Sequence, residues 1–251
     1  MKPFHCREER SGAGTHRNFA ISWVMSRLLL FLLVLTCGIP ALTAGAGQFS
    51  SAATPAVPNV SRIAAAVDRR YNGLRTMRAD FREVYRGAGI TRNESGVLQL
   101  KRPGKMRWDY RQPRPKFFIS DGKTAYFYVP GEKQVRKSPL KKIDDLKSPL
   151  RFLLGHTRLE NELQGLSLAV DLNPRAAGNV ILRGVPRNMA DRVSQVVLEI
   201  NSLNQIERLQ LDELDGATTE FTFTNLLENI AMPDGDFRFS APPGVEVVEQ
   251  F

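Results

Sequence analysis

From residue 76 onward the chain is written mainly in period two. Met77, Ala79 and Phe81 alternate with Arg78, Asp80 and Arg82, and Met106, Trp108 and Tyr110 alternate with Lys105, Arg107 and Asp109. Alternation sends successive side chains to opposite faces of a strand, so each run predicts one dry face and one wet face. Turn residues punctuate the runs. Arg102-Pro103-Gly104 separates a strand at 97–101 from one at 106–110, and Gln112-Pro113 separates that from 116–120. Asp121-Gly122 then joins 116–120 to 124–129 as a tight hairpin. Gly87 and Gly89 mark the turn into this central stretch.

The same pattern predicts further strands at 133–137, 166–172, 179–185, 193–200, 206–214, 218–223 and 245–248, divided by Gly, Asn, Pro or Asp turns. Three stretches read otherwise. Val60, Ile63, Ala64, Val67 and Tyr71 recur at helical spacing, with Ser61 as a possible cap and Gly73 as a stop. Leu140, Ile143 and Leu146 form a short amphipathic segment, and Leu150, Phe152, Leu153 and Leu154 another between Pro149 and Gly155. Helix is also expected across 156–163. Two short apolar segments amid strands read as a lid over a concave sheet. The predicted fold is mostly β with α: one domain at 59–251, a half-closed antiparallel β-barrel of about ten or eleven strands with helices over its opening.

Such a sheet has surplus apolar faces. Met77, Phe81, Leu98, Leu100, Met106 and Trp108 are candidates to line a lipid-binding cavity. Phe118, Tyr126, Leu140, Ile143, Leu150, Phe152 and Leu153 extend the set across the lid. A barrel packed solid needs the same alternation, so plain core packing remains the alternative at each position. The methionine and aromatic content suits an adaptable cavity.

The front of the chain sets the compartment. Residues 28–35 are an uninterrupted apolar run, with Arg27 before it and small residues Ala41, Ala44 and Ala46 after it. This predicts a secretory signal peptide over 1–46, with cleavage after Ala46 or Ala44. Met25 is a candidate true start. The run is too short and too poorly flanked for a membrane span. A Gly/Ser/Ala/Pro-rich arm at 47–58 follows. Val34 to Cys37 faintly resembles a lipidation signal, with Thr36 a poor fit. Cys6 and Cys37 are the two cysteines, so a chain cut after Ala46 has none, and disulfides, thiolate zinc sites and cysteine nucleophiles are excluded from it.

The 251 residues carry 35 Lys and Arg against 26 Asp and Glu, a net charge of +9. Losing Lys2, Arg7, Arg10, Arg17 and Arg27 with Glu8 and Glu9 lowers it to +6. The charges are spread over strands of an exported protein rather than clustered with aromatic platforms, so nucleic acid is not the expected partner. An anionic membrane or an acidic partner stays open.

Catalytic chemistry has little to stand on. His156 is the one histidine beyond the leader, placed as a helix-capping residue. There is no GxSxG elbow, HExxH motif or phosphate loop. Asp144 and Asp145 are neighbours in sequence and point apart on a helix. The expectation is no enzyme, no metal and no cofactor.

The stretch from Lys101 to Pro130 resembles the LolA-type periplasmic lipoprotein carriers. The residues that carry the likeness are Lys101-Arg102-Pro103, Arg107-Trp108 and Pro113, then Ser120 to Thr124, Tyr128 and Pro130. It extends more weakly to Met77 through Phe81 and to Pro149 through Leu154. Gln99 stands where the family commonly has an aromatic, and by parity it faces outward. The resemblance implies a soluble periplasmic chaperone that shields the acyl chains of lipoproteins between the inner and outer membranes. Its implied partners are acylated lipoproteins, an inner-membrane ABC-type lipoprotein-releasing complex and an outer-membrane receptor, met as a monomer. The alternatives are the lipid-anchored outer-membrane acceptor of the same pathway and a periplasmic regulatory domain that senses lipid or a protein ligand. Arg102, at the end of the Leu98–Leu100 row, falls on the arginine that the family places at the cavity mouth. The resemblance implies that it ties down the lid.

Overall fold

The computed structural model describes residues 58–140 and 158–249. It begins with helix α1, Val60–Gly73, capped by Asn59, whose Oδ1 accepts the Arg62 amide at 2.9 Å. The cap lies two residues before Ser61 because the chain turns helical at Val60. Ala64, Val67 and Tyr71 form its buried stripe. The strands are β1 Thr76–Gly87, β2 Ile90–Lys101, β3 Lys105–Gln112, β4 Lys116–Asp121, β5 Thr124–Tyr128 and β6 Gln134–Pro139. After the single turn α2, Leu159–Glu162, come β7 Leu163–Leu168, β8 Val180–Pro186, β9 Val193–Ile200, β10 Ile206–Glu213, β11 Thr218–Glu228 and β12 Glu246–Glu249.

The twelve strands of the described residues join one sheet in the order β12-β6-β5-β4-β3-β2-β1-β11-β10-β9-β8-β7. It is open: β12 and β7 are its two edges. Most neighbours are consecutive and antiparallel, as short turns dictate. Only β12 runs parallel, beside β6. The strand number exceeds the expected ten or eleven because every stretch of alternation is used, down to the four-residue β12. The longest pairing is β1 with β2, in unbroken register from Thr76↔Lys101 to Gly87↔Ile90. Ala88 and Gly89 make its two-residue turn, both at positive φ (49° and 75°), which matches the twist of the hairpin.

One face of this sheet wraps α1. Ala64, Val67 and Tyr71 share a single core with Met77, Ala79 and Phe81 of β1, Leu98 and Leu100 of β2, and Met106 and Trp108 of β3. The same core takes Leu182 of β8, Val196, Leu198 and Ile200 of β9, Leu209 of β10 and Phe221 of β11. Strands from both halves of the sheet can meet one helix only if the sheet curves around it. Each large side chain so buried stabilises the fold by roughly 1.5–3 kcal/mol. Tyr71 adds a polar tie, its hydroxyl accepting the Ile206 amide at 2.9 Å. Asp68 reaches α2, both carboxylate oxygens standing 3.1 Å from the Leu159 amide.

The opposite face is also covered, by the segment between β11 and β12. Lys101 donates to the Met232 carbonyl at 2.6 Å, and Arg107 to the Asp236 carbonyl at 2.9 Å. The carboxylate of Asp234 bridges Lys101 and Lys105, each at 2.7 Å. Phe237, in the 3₁₀ turn Asp234–Phe237, is fully buried, and Phe239 stacks on Tyr126 with centroids 5.2 Å apart. This strap delivers the chain to β6 for the parallel pairing.

Candidate functional site

The helix-bearing face is built from cross-strand rows. Residues paired directly in an antiparallel sheet share a face, so the register reads as a straight line: Ala79–Leu98–Trp108–Phe118–Phe127–Arg136 across β1 to β6. At about 4.8 Å per strand, the apolar part from Ala79 to Phe127 spans roughly 19 Å, the reach of a long acyl chain. Accessibility rises along it. Ala79, Leu98 and Trp108 are buried, Phe118 and Phe127 half-buried, and Arg136 exposed.

A second row, Phe223–Phe81–Gly96–Tyr110–Lys116, runs beside the first. The Phe81 ring meets Trp108 at 4.7 Å and Tyr110 at 4.8 Å, both edge-to-face, and Phe221 approaches Trp108 at 5.7 Å. Aromatic pairs in this geometry add about 0.5–1.5 kcal/mol beyond their burial. Gly96 makes the cluster possible. A Cβ there would lie 2.0 Å from the Asp109 carbonyl oxygen, because an irregularity between Ser95 and Gly96 brings β3 close. Trp108 Nε1 is buried and has no hydrogen-bond partner among the described residues.

The far end of these rows is polar. Tyr110 donates to Glu83 Oε2 at 2.8 Å, Lys116 donates to Glu94 Oε2 at 2.6 Å, and the Lys116 ammonium sits 3.9 Å from the Tyr110 ring centroid. Burial raises the Glu83 carboxyl above its usual range, against the lowering effect of the Tyr110 hydrogen bond and the Lys116 charge. Burial also pushes the Tyr110 phenol up, reinforced by the Glu83 charge.

At the other end stands Arg102. Its Nη1 donates to the Asn72 carbonyl at 2.7 Å, its Nη2 to the Tyr71 carbonyl, and its backbone amide to Arg75 O at 2.9 Å. The Tyr71 and Asn72 carbonyls belong to the last turn of α1, where a cation also meets the negative end of the helix dipole. Burial lowers the guanidinium pKa, since the charged form loses solvent. Among the described residues Arg102 therefore holds the helix on the concave face.

Of the candidate lining residues, Met77, Phe81, Leu98, Leu100, Met106 and Trp108 lie together in the α1 core. Phe118 packs against it, half-buried. Leu140 is buried, its amide donating to the Lys123 carbonyl at 2.8 Å. Tyr126 requires a correction: it pairs with Ile119 and stacks on Phe239, which puts it under the strap on the other face. Phe127 takes the inward place instead. Ile143, Leu150, Phe152 and Leu153, with the rest of the expected lid, lie outside the described residues, as do the leader and the arm. Sequence reasoning missed Phe127, Phe221, Phe223 and the stripe of α1 as parts of this face. Alternation marked their elements, but only the register brings them together. Among the described residues no group of acidic, histidine or cysteine side chains is arranged to hold a metal ion, and no helix is long and apolar enough to cross a membrane.

The architecture is a curved, mostly β sheet with an aromatic inner wall, a helix held across it by an arginine, and a strap on its outer side. Residues 72–240 match the family model described as outer membrane lipoprotein carrier protein LolA. The outer-membrane lipoprotein carrier protein of Chromobacterium violaceum is 30% identical over 212 residues, covering 83% of this chain and 96% of that one. The protein of the same description from Bordetella bronchiseptica is 34% identical over 158 residues, covering 62% and 70%. Among solved structures, the LolA superfamily protein NE2245 of Nitrosomonas europaea aligns at a TM-score of 0.41 and 11% identity, over 73% of this chain and 99% of that one. The chain belongs to the LolA family of outer-membrane lipoprotein carriers.

Proposed function

We propose that this protein is a soluble periplasmic carrier that holds the acyl chains of lipoproteins against its aromatic inner face while they pass from the inner to the outer membrane. An anchor of two or three long chains faces tens of kcal/mol in water, at about 0.8 kcal/mol per CH₂, and does not desorb usefully by itself. A wall of Met77, Phe81, Leu98, Trp108 and Phe118, extended by Phe127, replaces that water with apolar surface. The donor would be an inner-membrane ABC-type lipoprotein-releasing complex and the acceptor an outer-membrane receptor.

The observation that carries the reading is the Arg102 clasp on α1. The helix fills the concave face in this state, so chains can enter only if it gives way. Entry then breaks the bonds to the Tyr71 and Asn72 carbonyls and parts the rings around Trp108. The loaded state is strained relative to the empty one, and that difference favours handing the cargo on. Arg102→Leu removes the clasp and adds apolar wall. The variant is expected to accept lipoprotein normally and to transfer it poorly. The measurement is passage of a labelled lipoprotein from carrier to acceptor; transfer at the wild-type level would refute the release mechanism.

A further inference from the structure

The long apolar row of the inner face is interrupted near the edge of the sheet. Phe127 pairs with Arg136, whose guanidinium lies 4.7 Å from that ring's centroid, and Val248 of the edge strand β12 stands beyond it. Arg136 is exposed, and among the described residues no carboxylate pairs with it. Four other arginines of the sheet stand beside carboxylates: Arg92 by Glu94, Arg107 by Asp109, Arg183 by Asp171 and Arg208 by Glu199. On the same face the nearest acidic position is Glu246, paired with Gln134, one step away along the edge. Stacking on Phe127 uses the face of the guanidinium and leaves its N–H donors at the rim free for oxygen acceptors.

An apolar track with an exposed cation stacked on its last ring matches an amphiphile: a chain along Leu98, Trp108, Phe118 and Phe127, and a negative group at Arg136. We propose that the inner face also takes free anionic lipids, with Arg136 as the headgroup anchor for a phosphate. A guanidinium suits that role because its planar fork can donate two parallel hydrogen bonds to one phosphate. The ester and amide groups of a lipoprotein anchor carry no such charge, so Arg136 gives this face a second ligand class. The inference rests on the acyl-chain reading of the face and adds the charge selection.

The test is calorimetric titration of the purified protein, below the micelle concentration, with two probes of equal chain length. One is 1-myristoyl-lysophosphatidylglycerol; the other is monomyristoylglycerol, which lacks the phosphate. The wild type is expected to bind the anionic probe about tenfold more tightly, a preference set by charged hydrogen bonds. Arg136→Gln should bind both probes equally, with the neutral affinity unchanged. Equal affinities in the wild type, or a preference that survives in Arg136→Gln, would overturn the proposal and leave acyl binding standing. Binding of neither probe would overturn both readings. Inorganic phosphate should not compete at millimolar concentration; if it displaced the lipid, Arg136 would be a plain anion site and the amphiphile assignment would fall.

Discussion

Glu83 shows what the polar end of the inner face does at the level of a single residue. It accepts from Tyr110 and faces Glu94, Lys116 and Arg92, yet burial dominates and its carboxyl is raised. A raised carboxyl contributes stability that is full below its unfolded pKa and lost as pH rises through the folded value. At neutral pH the buried charge is therefore a net burden. Glu83→Gln keeps an acceptor for Tyr110 and drops the charge. Its melting temperature should exceed that of the wild type at pH 7.5, with the gap shrinking as the pH falls through the carboxylate range. A gap that widened on acidification would mean that the Lys116 and Tyr110 contacts outweigh burial. Trp108 presents the other unresolved group. An unpartnered buried N–H costs about 1–3 kcal/mol, and such a cost sits in the ring cluster that entering chains must part.

At the scale of elements, the strap between β11 and β12 combines buried rings with a charged tie at Asp234. Hydrogen bonds from Lys101 and Lys105 lower the Asp234 carboxyl to about 2. Its contribution is present above the unfolded value near 3.8 and is lost only as pH falls through about 2, so the tie holds across all ordinary conditions. Asp234→Asn should loosen the strap. Hydrogen exchange is expected to speed up over 232–249 and to stay unchanged across the long β1–β2 hairpin. Equal protection in variant and wild type would show that Phe237 and Phe239 hold the strap without the carboxylate. This element could not be read from the sequence. Lys101 and Met232 are 131 residues apart in the chain, and nothing local announces that they meet. The strands were legible, because Met77, Ala79, Phe81, Met106 and Trp108 keep strict period two. The face of β5 was not. Residues 124–129 are apolar on both parities, so alternation cannot choose between Tyr126 and Phe127. The pair Phe118↔Phe127 decides it. Period two put Arg102 at the end of the Leu98–Leu100 row and the expected acceptors were those of the lid; its acceptors among the described residues are on α1 and follow from the curvature of the sheet, which period two alone does not specify.

The whole molecule is a sheet with two covered faces that do different work. The outer face is covered over β2 to β5 by the strap, which leads into the β6–β12 pairing, and Arg175 of the β7–β8 connection reaches Glu199, Thr222 and Glu220 on its other half. The inner face is closed by α1, through apolar packing along the helix and the Arg102 clasp at its end. The half of the inner face over β4 to β6 remains the more accessible, with Phe118 and Phe127 half-buried. If lipoprotein chains travel on this face, they should touch those two rings and not Tyr126, although Tyr126 is the immediate neighbour of Phe127. The direct measurement is photo-crosslinking in cells, with a benzophenone amino acid placed singly at 118, 127 and 126. Lipoprotein adducts from 118 and 127, with none from 126, are the predicted result. Adducts from 126 as strong as those from 127, or none from either inner position, would contradict the assignment of the acyl chains to the inner face.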